Sequence, residues 1–176
     1  MEWYNEPPAW NVERRRITAI SGAKTDLWRH THYGFVRDNS HFFWQLIDGN
    51  FTVDVKISGE YRDLYDQAGI MLRLDESNWL KCGIEFVDNV QHCSAVVTRD
   101  YSDWSVVPLL APASLWLRVT RKNTAVVVEY SEDGQEYTML RMAYLAVTPM
   151  KVGVMCASPQ GNGFSVTFEG FKISSL

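Results

Sequence analysis

Carboxylate side chains are the natural starting point for catalytic chemistry in this chain, and Glu85 is the one that invites comparison with a glycosidase. Glycosidases use two carboxyl groups, about 5–5.5 Å apart in retaining enzymes and about 6.5–9.5 Å apart in inverting ones. Glu85 is followed by Phe86, Val87 and Asp88, and a residue three positions on points to the other face of a regular strand. A partner for Glu85 would therefore come from another strand, with Asp54 and Asp66 as candidates.

Polar side chains alternate with apolar ones on either side of Glu85. Lys81 lies four residues before it, so the two share a strand face but stand about 13 Å apart at their Cα atoms. Any ion pair that they make would have to go across strands. His92 and Ser94 alternate in the same way on the next segment, and Gln67 stands at the start of the preceding one. These five side chains converge on one groove if their strands are neighbours.

The densest polar and aromatic stretch is Asp26-Leu27-Trp28-Arg29-His30-Thr31-His32-Tyr33. On an extended chain, His30 and His32 point the same way, and paired imidazoles can ligate a metal ion. The sequence places no third ligand near them. We therefore favour a pair of hydrogen-bonding loop histidines over a metal site.

A second cluster, Tyr101-Ser102-Asp103-Trp104-Ser105, puts an aromatic ring beside a carboxylate. Sugar recognition uses a flat apolar surface for the ring C–H groups and a planar carboxylate or amide for the hydroxyls. Trp104 with Asp103, and Trp28 with Arg29, could provide both. The alternative is that each tryptophan closes one end of a hydrophobic core.

The elements that would position these residues are β-strands. Phe51, Val53, Val55 and Ile57 alternate with polar residues, and this period of two is typical of a half-buried strand. Similar segments recur every 10–15 residues between turn sequences, as in sandwiches and barrels. The predicted strands are 12–20, 51–57, 67–74, 79–87, 91–98, 102–107, 115–121, 125–131, 137–142, 150–157 and 164–174.

The predicted core faces follow from this alternation. Leu80, Cys82, Ile84 and Phe86 share the core face of one strand, and Cys93, Ala95 and Val97 share that of the next. Trp79, Lys81 and Glu85 would then face outward. We predict an all-β protein with two stacked antiparallel sheets.

Length and composition point to one domain that spans residues 1–176. An apolar content of 46% can form a core without disulfides or metals. A net charge of −4 argues against nucleic acid, because phosphates need a basic surface. The one dense basic run, Arg14-Arg15-Arg16, is more typical of a solvated strand edge.

The chain has no stretch of about 18 apolar residues, so we expect no membrane partner. Its first residues, Met1 to Pro8, lack the basic and apolar regions of a signal peptide. Three cysteines, Cys82, Cys93 and Cys156, are an odd number and do not make a disulfide framework. Together these features predict a cytoplasmic protein.

Several segments resemble the concanavalin A-like lectin/glucanase superfamily. They are Gln67–Leu72, Asn78–Glu85, Leu115–Arg121, Tyr130–Gly134 and Val152–Val154 with Ser158-Pro159. The likeness is greatest to a branch of uncharacterised domains that includes the yeast regulation-of-enolase protein, and this branch is similar to the sandwich domain of some β-xylosidases. The resemblance implies a jelly roll whose concave sheet and rim loops hold the ligand.

Glucanases of this superfamily take two glutamates from one strand, in the pattern E-x-D-x-x-E or E-x-D-x-E. Glu85 lacks that pattern. The resemblance therefore implies a non-catalytic binding domain for a carbohydrate or related polar small molecule, without a cofactor or metal ion. Two alternatives remain: a glycosidase that uses Glu85 with a second carboxylate, and a protein-interaction module that regulates carbohydrate metabolism. The predicted ligand-binding residues are Trp28, His30, His32, Gln67, Lys81, Glu85, His92, Ser94, Asp103 and Trp104.

Overall fold

A computed structural model describes residues 1–176 and contains sixteen β-strands and no helix. The strands of the first half are β1 (Glu2–Tyr4), β2 (Ala9–Glu13), β3 (Arg16–Ile20), β4 (Leu27–Arg29), β5 (Val36–Asp38), β6 (His41–Ile47), β7 (Phe51–Gly59) and β8 (Gln67–Arg73). Those of the second half are β9 (Asn78–Val87), β10 (Val90–Arg99), β11 (Tyr101–Pro108), β12 (Leu115–Lys122), β13 (Ala125–Ser131), β14 (Thr138–Tyr144), β15 (Met150–Ala157) and β16 (Ser165–Ser175).

Fourteen strands form two seven-stranded antiparallel sheets, which confirms the predicted sandwich. The first, which we call the site sheet, has the order β1-β6-β15-β8-β9-β10-β11. The second has the order β14-β13-β12-β7-β16-β3-β2, and β4 and β5 form a separate hairpin. As a result β8, β9 and β10 are neighbours, as the convergence of Gln67, Lys81, Glu85 and Ser94 requires.

The main hydrophobic core lies between the two sheets. Phe51, Val53, Val55 and Ile57 of β7 are almost fully buried, and the polar residues between them are half-buried. From the site sheet, the predicted core residues of β9 and β10 join the same cluster, except Phe86, which is only half-buried and lies outside it. The period-two alternation of the sequence is thus the physical origin of the two-layer fold, because it gives each strand one apolar face.

A second apolar cluster lies on the outer face of the site sheet, opposite the main core. The β4–β5 hairpin folds across this face and buries its own Leu27 and Trp28 against the sheet. The buried members are Leu27, Trp28, Phe42, Met71, Trp79, Val96, Met155 and Ala157. Trp79 points away from the main core as predicted, but the expectation that it is exposed is wrong, because the hairpin covers it completely.

An ion pair fastens this hairpin to the sheet. Arg73 of β8 donates two hydrogen bonds to the Asp38 carboxylate, of 2.5 and 2.8 Å. The Tyr4 hydroxyl donates to the same carboxylate, and the guanidinium lies 4.7 Å from the centre of the Tyr4 ring. On the other strand of the hairpin, Ser102 Oγ accepts a hydrogen bond from the Arg29 backbone N–H.

The predicted strand 12–20 is two strands, so this boundary was wrong. Residues 9–13 and 16–20 form the hairpin β2–β3. The chain reverses at Arg14, whose backbone lies in the left-handed region with φ of 55°. The arginine run occupies this turn and the start of β3, in agreement with its interpretation as a solvated edge.

His41 ties the N-terminal segment to the start of β6. Its Nδ1–H donates to the Asn5 carbonyl oxygen at 2.6 Å, and its Nε2 accepts the Gly22 N–H at 2.8 Å. This arrangement requires a neutral ring, because a proton on Nε2 would face the Gly22 N–H. Burial lowers the pKa of His41, against a smaller opposing effect of the hydrogen bond to Asn5.

His41 should make the stability of the protein depend on pH. Because its pKa is lower in the folded state, its contribution is fully present above the unfolded value of about 6.5 and is lost as the pH falls through the folded value. We expect the free energy of unfolding to fall between pH 7.5 and pH 5, and less steeply in His41→Gln. Urea titrations at several pH values measure both slopes, and equal slopes would contradict the assignment.

The three cysteines are free and buried. Burial raises the pKa of Cys82 and of Cys156 to about 12. Their thiols therefore behave as small core side chains at neutral pH. The structure contains no helix that is long and apolar enough to span a bilayer.

Candidate functional site

A pocket opens where the hairpin leaves the outer face of the site sheet uncovered. We call it the central pocket. Its cavity volume is about 70 Å³. It is lined by Asp26, Trp28, Tyr33, Phe35, Tyr65, Gln67, Lys81, Glu85, Trp104 and Gln160.

The sheet beneath the pocket carries two facing glycines. Gly69 of β8 is paired with Gly83 of β9, midway between Lys81 and Glu85 along the strand. A Cβ added to Gly69 would lie 1.7 Å from the Cys82 carbonyl oxygen, and one added to Gly83 would lie 2.0 Å from the Ala68 carbonyl oxygen. Larger residues therefore do not fit at either position. As a result, no side chain of β9 stands between Lys81 and Glu85 on this face of the sheet.

Lys81 is a buried ammonium group that has no carboxylate partner. Its Nζ donates to the Leu27 carbonyl oxygen at 2.9 Å and to Gln67 Oε1. The four ion pairs of the protein involve other residues. An ammonium group has three N–H donors, so one donor of Lys81 remains for a group in the pocket that Lys81 lines.

Glu85 is held in place through one of its two oxygens. Its Oε2 accepts hydrogen bonds from Ser94 Oγ at 2.6 Å and from Trp104 Nε1 at 2.9 Å. Its Oε1 has no partner within the protein. Lys81 and Glu85 do not pair with one another, so the pocket presents a fixed donor and a fixed acceptor that are both unused.

Aromatic rings form the walls of the pocket. Tyr33 stacks on Phe35 with ring centres 5.5 Å apart and meets Trp28 edge-on at 5.6 Å. Across the opening, the Tyr33 and Tyr65 hydroxyls are hydrogen-bonded at 2.9 Å. That hydrogen bond, together with burial, raises the pKa of Tyr65 to about 12, so its hydroxyl is neutral at physiological pH.

The relationship of the chain to known proteins follows from three comparisons. A family model described as "Protein of unknown function (DUF1349)" matches residues 3–176. The chain belongs to this family. "Regulation of enolase protein 1" of Saccharomyces cerevisiae is 37% identical over 175 residues, which cover 98% of this chain and 88% of the yeast protein.

Solved structures agree with this family assignment. A functionally unknown protein from Saccharomyces cerevisiae superposes with a TM-score of 0.95 at 37% identity, over 99% of this chain and 96% of that one. A xylan β-1,4-xylosidase from Bacillus halodurans gives 0.72 at 11% identity, over 99% of this chain and 39% of the enzyme. The carbohydrate-binding module CBM66 from Bacillus subtilis gives 0.61 at 10% identity, over 98% and 95% of the two chains. The last two likenesses concern the fold, and they confirm the predicted resemblance.

Six of the predicted site residues of this DUF1349 chain lie in or directly behind the central pocket. Five of them line it, namely Trp28, Gln67, Lys81, Glu85 and Trp104. Ser94 stands behind Glu85 and orients it. His92 is the backbone partner of Glu85, but its Nδ1 contacts the Val90 carbonyl oxygen and its side chain does not line the pocket.

The other three predicted residues lie outside the pocket. His30 and His32 have φ angles of 57° and 63° and occupy a tight turn, so the expectation of an extended chain at this point was wrong. The His30 ring packs near Tyr101 and the His32 ring packs against Tyr33. No group of three or more His, Cys, Asp or Glu side chains is placed to hold a metal ion. Asp103 is exposed on the neighbouring surface.

Neither carboxylate proposed as a partner of Glu85 reaches it. Asp54 belongs to the second sheet and pairs with Arg118 at 2.7 Å. Asp66 is buried, and its two oxygens accept hydrogen bonds from Ser158 and from the backbone N–H groups of residues 62 and 63. The second carboxylate in the pocket is instead Asp26, whose Oδ1 accepts the Leu27 N–H.

The sequence pattern did not predict five of the pocket residues, namely Asp26, Tyr33, Phe35, Tyr65 and Gln160. All five lie outside the strands of the two sheets, so alternation could not assign them to a face. Asp26 and Tyr33 do belong to the dense polar and aromatic stretch that drew attention to Trp28. Composition was therefore the one signal that pointed to this wall.

Proposed function

We propose that this protein is a non-catalytic binding domain that holds one neutral sugar unit, or a related polyhydroxylated molecule, in the central pocket. The observation that carries the proposal is the pairing of an unused donor on Lys81 with an unused acceptor on Glu85. Both side chains are buried and fixed by neighbouring groups. A hydroxyl both donates and accepts, so different hydroxyls of one polyhydroxylated ligand can accept from Lys81 and donate to Glu85.

The walls of the pocket fit the apolar part of a sugar. Sugar rings present C–H groups on their faces, and aromatic rings such as Tyr33, Tyr65 and Trp104 offer surfaces against which these can pack. Trp104 is also held by two hydrogen bonds from its Nε1, to Glu85 and to Ser94. A ring that is already rigid loses little conformational entropy when a ligand binds.

The comparisons support the proposal at the level of the fold. One structural neighbour is named as a carbohydrate-binding module, and another is part of a xylosidase. Their low identities carry over neither a ligand nor a site. A sugar ligand is therefore supported by the chemistry of Lys81, Glu85 and the aromatic walls.

Glu85→Gln and Lys81→Met test the proposal directly. Each removes one charged hydrogen-bonding group, and a hydrogen bond to a charged group contributes about 1.5–3 kcal/mol. We therefore expect sugar affinity to fall by about 10- to 100-fold in each variant. A glycan array identifies the binders, and calorimetry with methyl glycosides of glucose, galactose, mannose and xylose measures affinity.

Glu136→Gln is the matched control, because Glu136 is exposed and its side chain makes no hydrogen bond or ion pair. Its affinity should equal that of the unaltered protein. Thermal unfolding of all three variants separates loss of binding from loss of folding. An empty glycan array, together with no calorimetric signal at millimolar sugar, would refute the proposal.

A glycosidase is the second candidate, because Asp26 and Glu85 are two carboxylates that line the same pocket. Hydrolysis of p-nitrophenyl glycosides that Glu85→Gln abolishes would establish it in place of simple binding. A protein partner is the third candidate, and it is supported by the name of the yeast relative. Pull-down of enolase and other glycolytic enzymes, with Glu85→Gln as comparison, would test whether such a partner uses this pocket.

A further inference from the structure

A second depression shares Trp104 with the central pocket. We call it the outer shelf, and its cavity volume of about 460 Å³ is larger than the value of about 70 Å³ for the central pocket. Its lining residues are Trp28, Thr31, His32, Tyr33, Ser102, Asp103 and Trp104. Three of these, Trp28, Tyr33 and Trp104, also line the central pocket, so the two sites share a wall.

The outer shelf has polar groups that the protein itself does not use. Asp103 is exposed, and its carboxylate makes no hydrogen bond or ion pair. His32 is also exposed, and its ring is held edge-on against Tyr33 with centres 4.8 Å apart. In contrast, Ser102 is buried and bonded to Thr98 and to the Arg29 backbone. Asp103, His32 and the Thr31 hydroxyl are therefore the side-chain groups that are free to contact a ligand here, and Asp103 and His32 are the more exposed of them.

The shared wall gives the two sites a fixed relationship. Trp104 is anchored from below by Glu85 and Ser94, and the Tyr65 ring meets its ring edge-on at 6.2 Å. A molecule that fills the central pocket and extends past Trp104 therefore emerges onto the outer shelf. A chain of linked sugar rings has this shape, with hydroxyls at each ring and a C–H surface for each aromatic wall.

We infer that the outer shelf is a second sugar subsite, so that the ligand is an oligosaccharide of at least two units. One unit occupies the central pocket, and the next lies against Trp104 with its hydroxyls bonded to Asp103 and His32. This inference rests on the proposed function of the central pocket. It adds a length requirement to the ligand and assigns two further binding residues.

Matched pairs of sugars test the inference. The probes are methyl glucoside with cellobiose and maltose, methyl galactoside with lactose, and methyl xyloside with xylobiose. For the pair that binds, we expect the disaccharide to bind about 10-fold more tightly than the methyl glycoside, because it gains hydrogen bonds to a charged group. Asp103→Ala should reduce disaccharide affinity to the level of the methyl glycoside and leave the methyl glycoside unaffected.

His32→Asn provides a second variant, since asparagine tolerates the left-handed backbone of that position. It should weaken the disaccharide alone, while Glu136→Gln weakens neither ligand. If the disaccharide and the methyl glycoside bind equally, and Asp103→Ala changes neither, the second subsite is excluded and the central pocket stands. If no sugar of either length binds, the proposed function fails and the subsite fails with it.

Discussion

Asp38→Ala should lower the free energy of unfolding by about 3 kcal/mol, because it leaves the guanidinium of Arg73 buried without its partner. Removing one member of a buried ion pair typically costs about 3–5 kcal/mol. The Arg73 side chain is only 8% exposed, but that of Asp38 is 25% exposed. Because water reaches part of the pair, we use the lower end of this energy range. The substitution also removes the acceptor of the Tyr4 hydroxyl.

Asp54→Ala is the matched control for this prediction. Asp54 also pairs with an arginine, Arg118, but both side chains are more than a third exposed. Exposed pairs contribute about 0–1 kcal/mol, so the control should change stability by no more than that. Urea unfolding measures both changes, and equal losses in the two variants would show that burial of Arg73 does not decide the effect.

Asp38→Ala should also weaken sugar binding, although Asp38 does not line the pocket. Asp38 ends β5, and Trp28, Tyr33 and Phe35 belong to the hairpin that it fastens. Once the hairpin is loosened, the aromatic wall no longer keeps its position over Lys81. Calorimetry of Asp38→Ala at a temperature where the protein remains folded checks this expectation, with Asp54→Ala again as the control.

The sequence was sufficient to predict the strands with a long period-two alternation. Phe51–Ile57 and Leu80–Ile84 were assigned to the correct faces, because burial of one strand face depends on the pattern of the strand itself. The seven-residue strand His41–Ile47 was missed, because its consecutive apolar residues Phe42, Phe43 and Trp44 break the period of two. The three-residue strands Glu2–Tyr4, Leu27–Arg29 and Val36–Asp38 were missed as well. A segment of three residues contains too little alternation to show a period, and its pairing depends on contacts far along the chain.

In the candidate site, too, the features that depend on one strand could be predicted, and those that depend on how strands pair could not. Lys81 and Glu85 could be predicted to share a face, because they lie four residues apart on one regular strand. That Gln67 holds Lys81, and that Ser94 and Trp104 hold Glu85, depends on the order of strands in the sheet. The sequence contains no local signal of that order, and the resemblance to a fold family was needed to expect it.

Trp79→Ala should lower the free energy of unfolding by about 3–5 kcal/mol, which is the usual cost of truncating a buried tryptophan to alanine. Trp79 is fully buried between the site sheet and the hairpin, together with Met71 and Val96. Its Nε1 donates to the Glu76 carbonyl oxygen at 3.3 Å. The alternation of β9 placed it correctly opposite the main core, but alternation alone could not reveal that another segment covers that face.

Trp104→Ala provides the contrast, since it replaces the same residue type on the same outer face where the hairpin does not cover it. Trp104 is 36% exposed, so water can replace much of what the side chain contributes, and we expect a loss of about 1 kcal/mol. Trp104→Ala should nevertheless weaken sugar binding more than Trp79→Ala does, because the central pocket and the outer shelf both lose the wall that they share. Urea unfolding and calorimetry on the two variants therefore separate the tryptophan that stabilises the fold from the one that contacts the ligand. A Trp104→Ala protein that binds sugar normally would exclude Trp104 from the site.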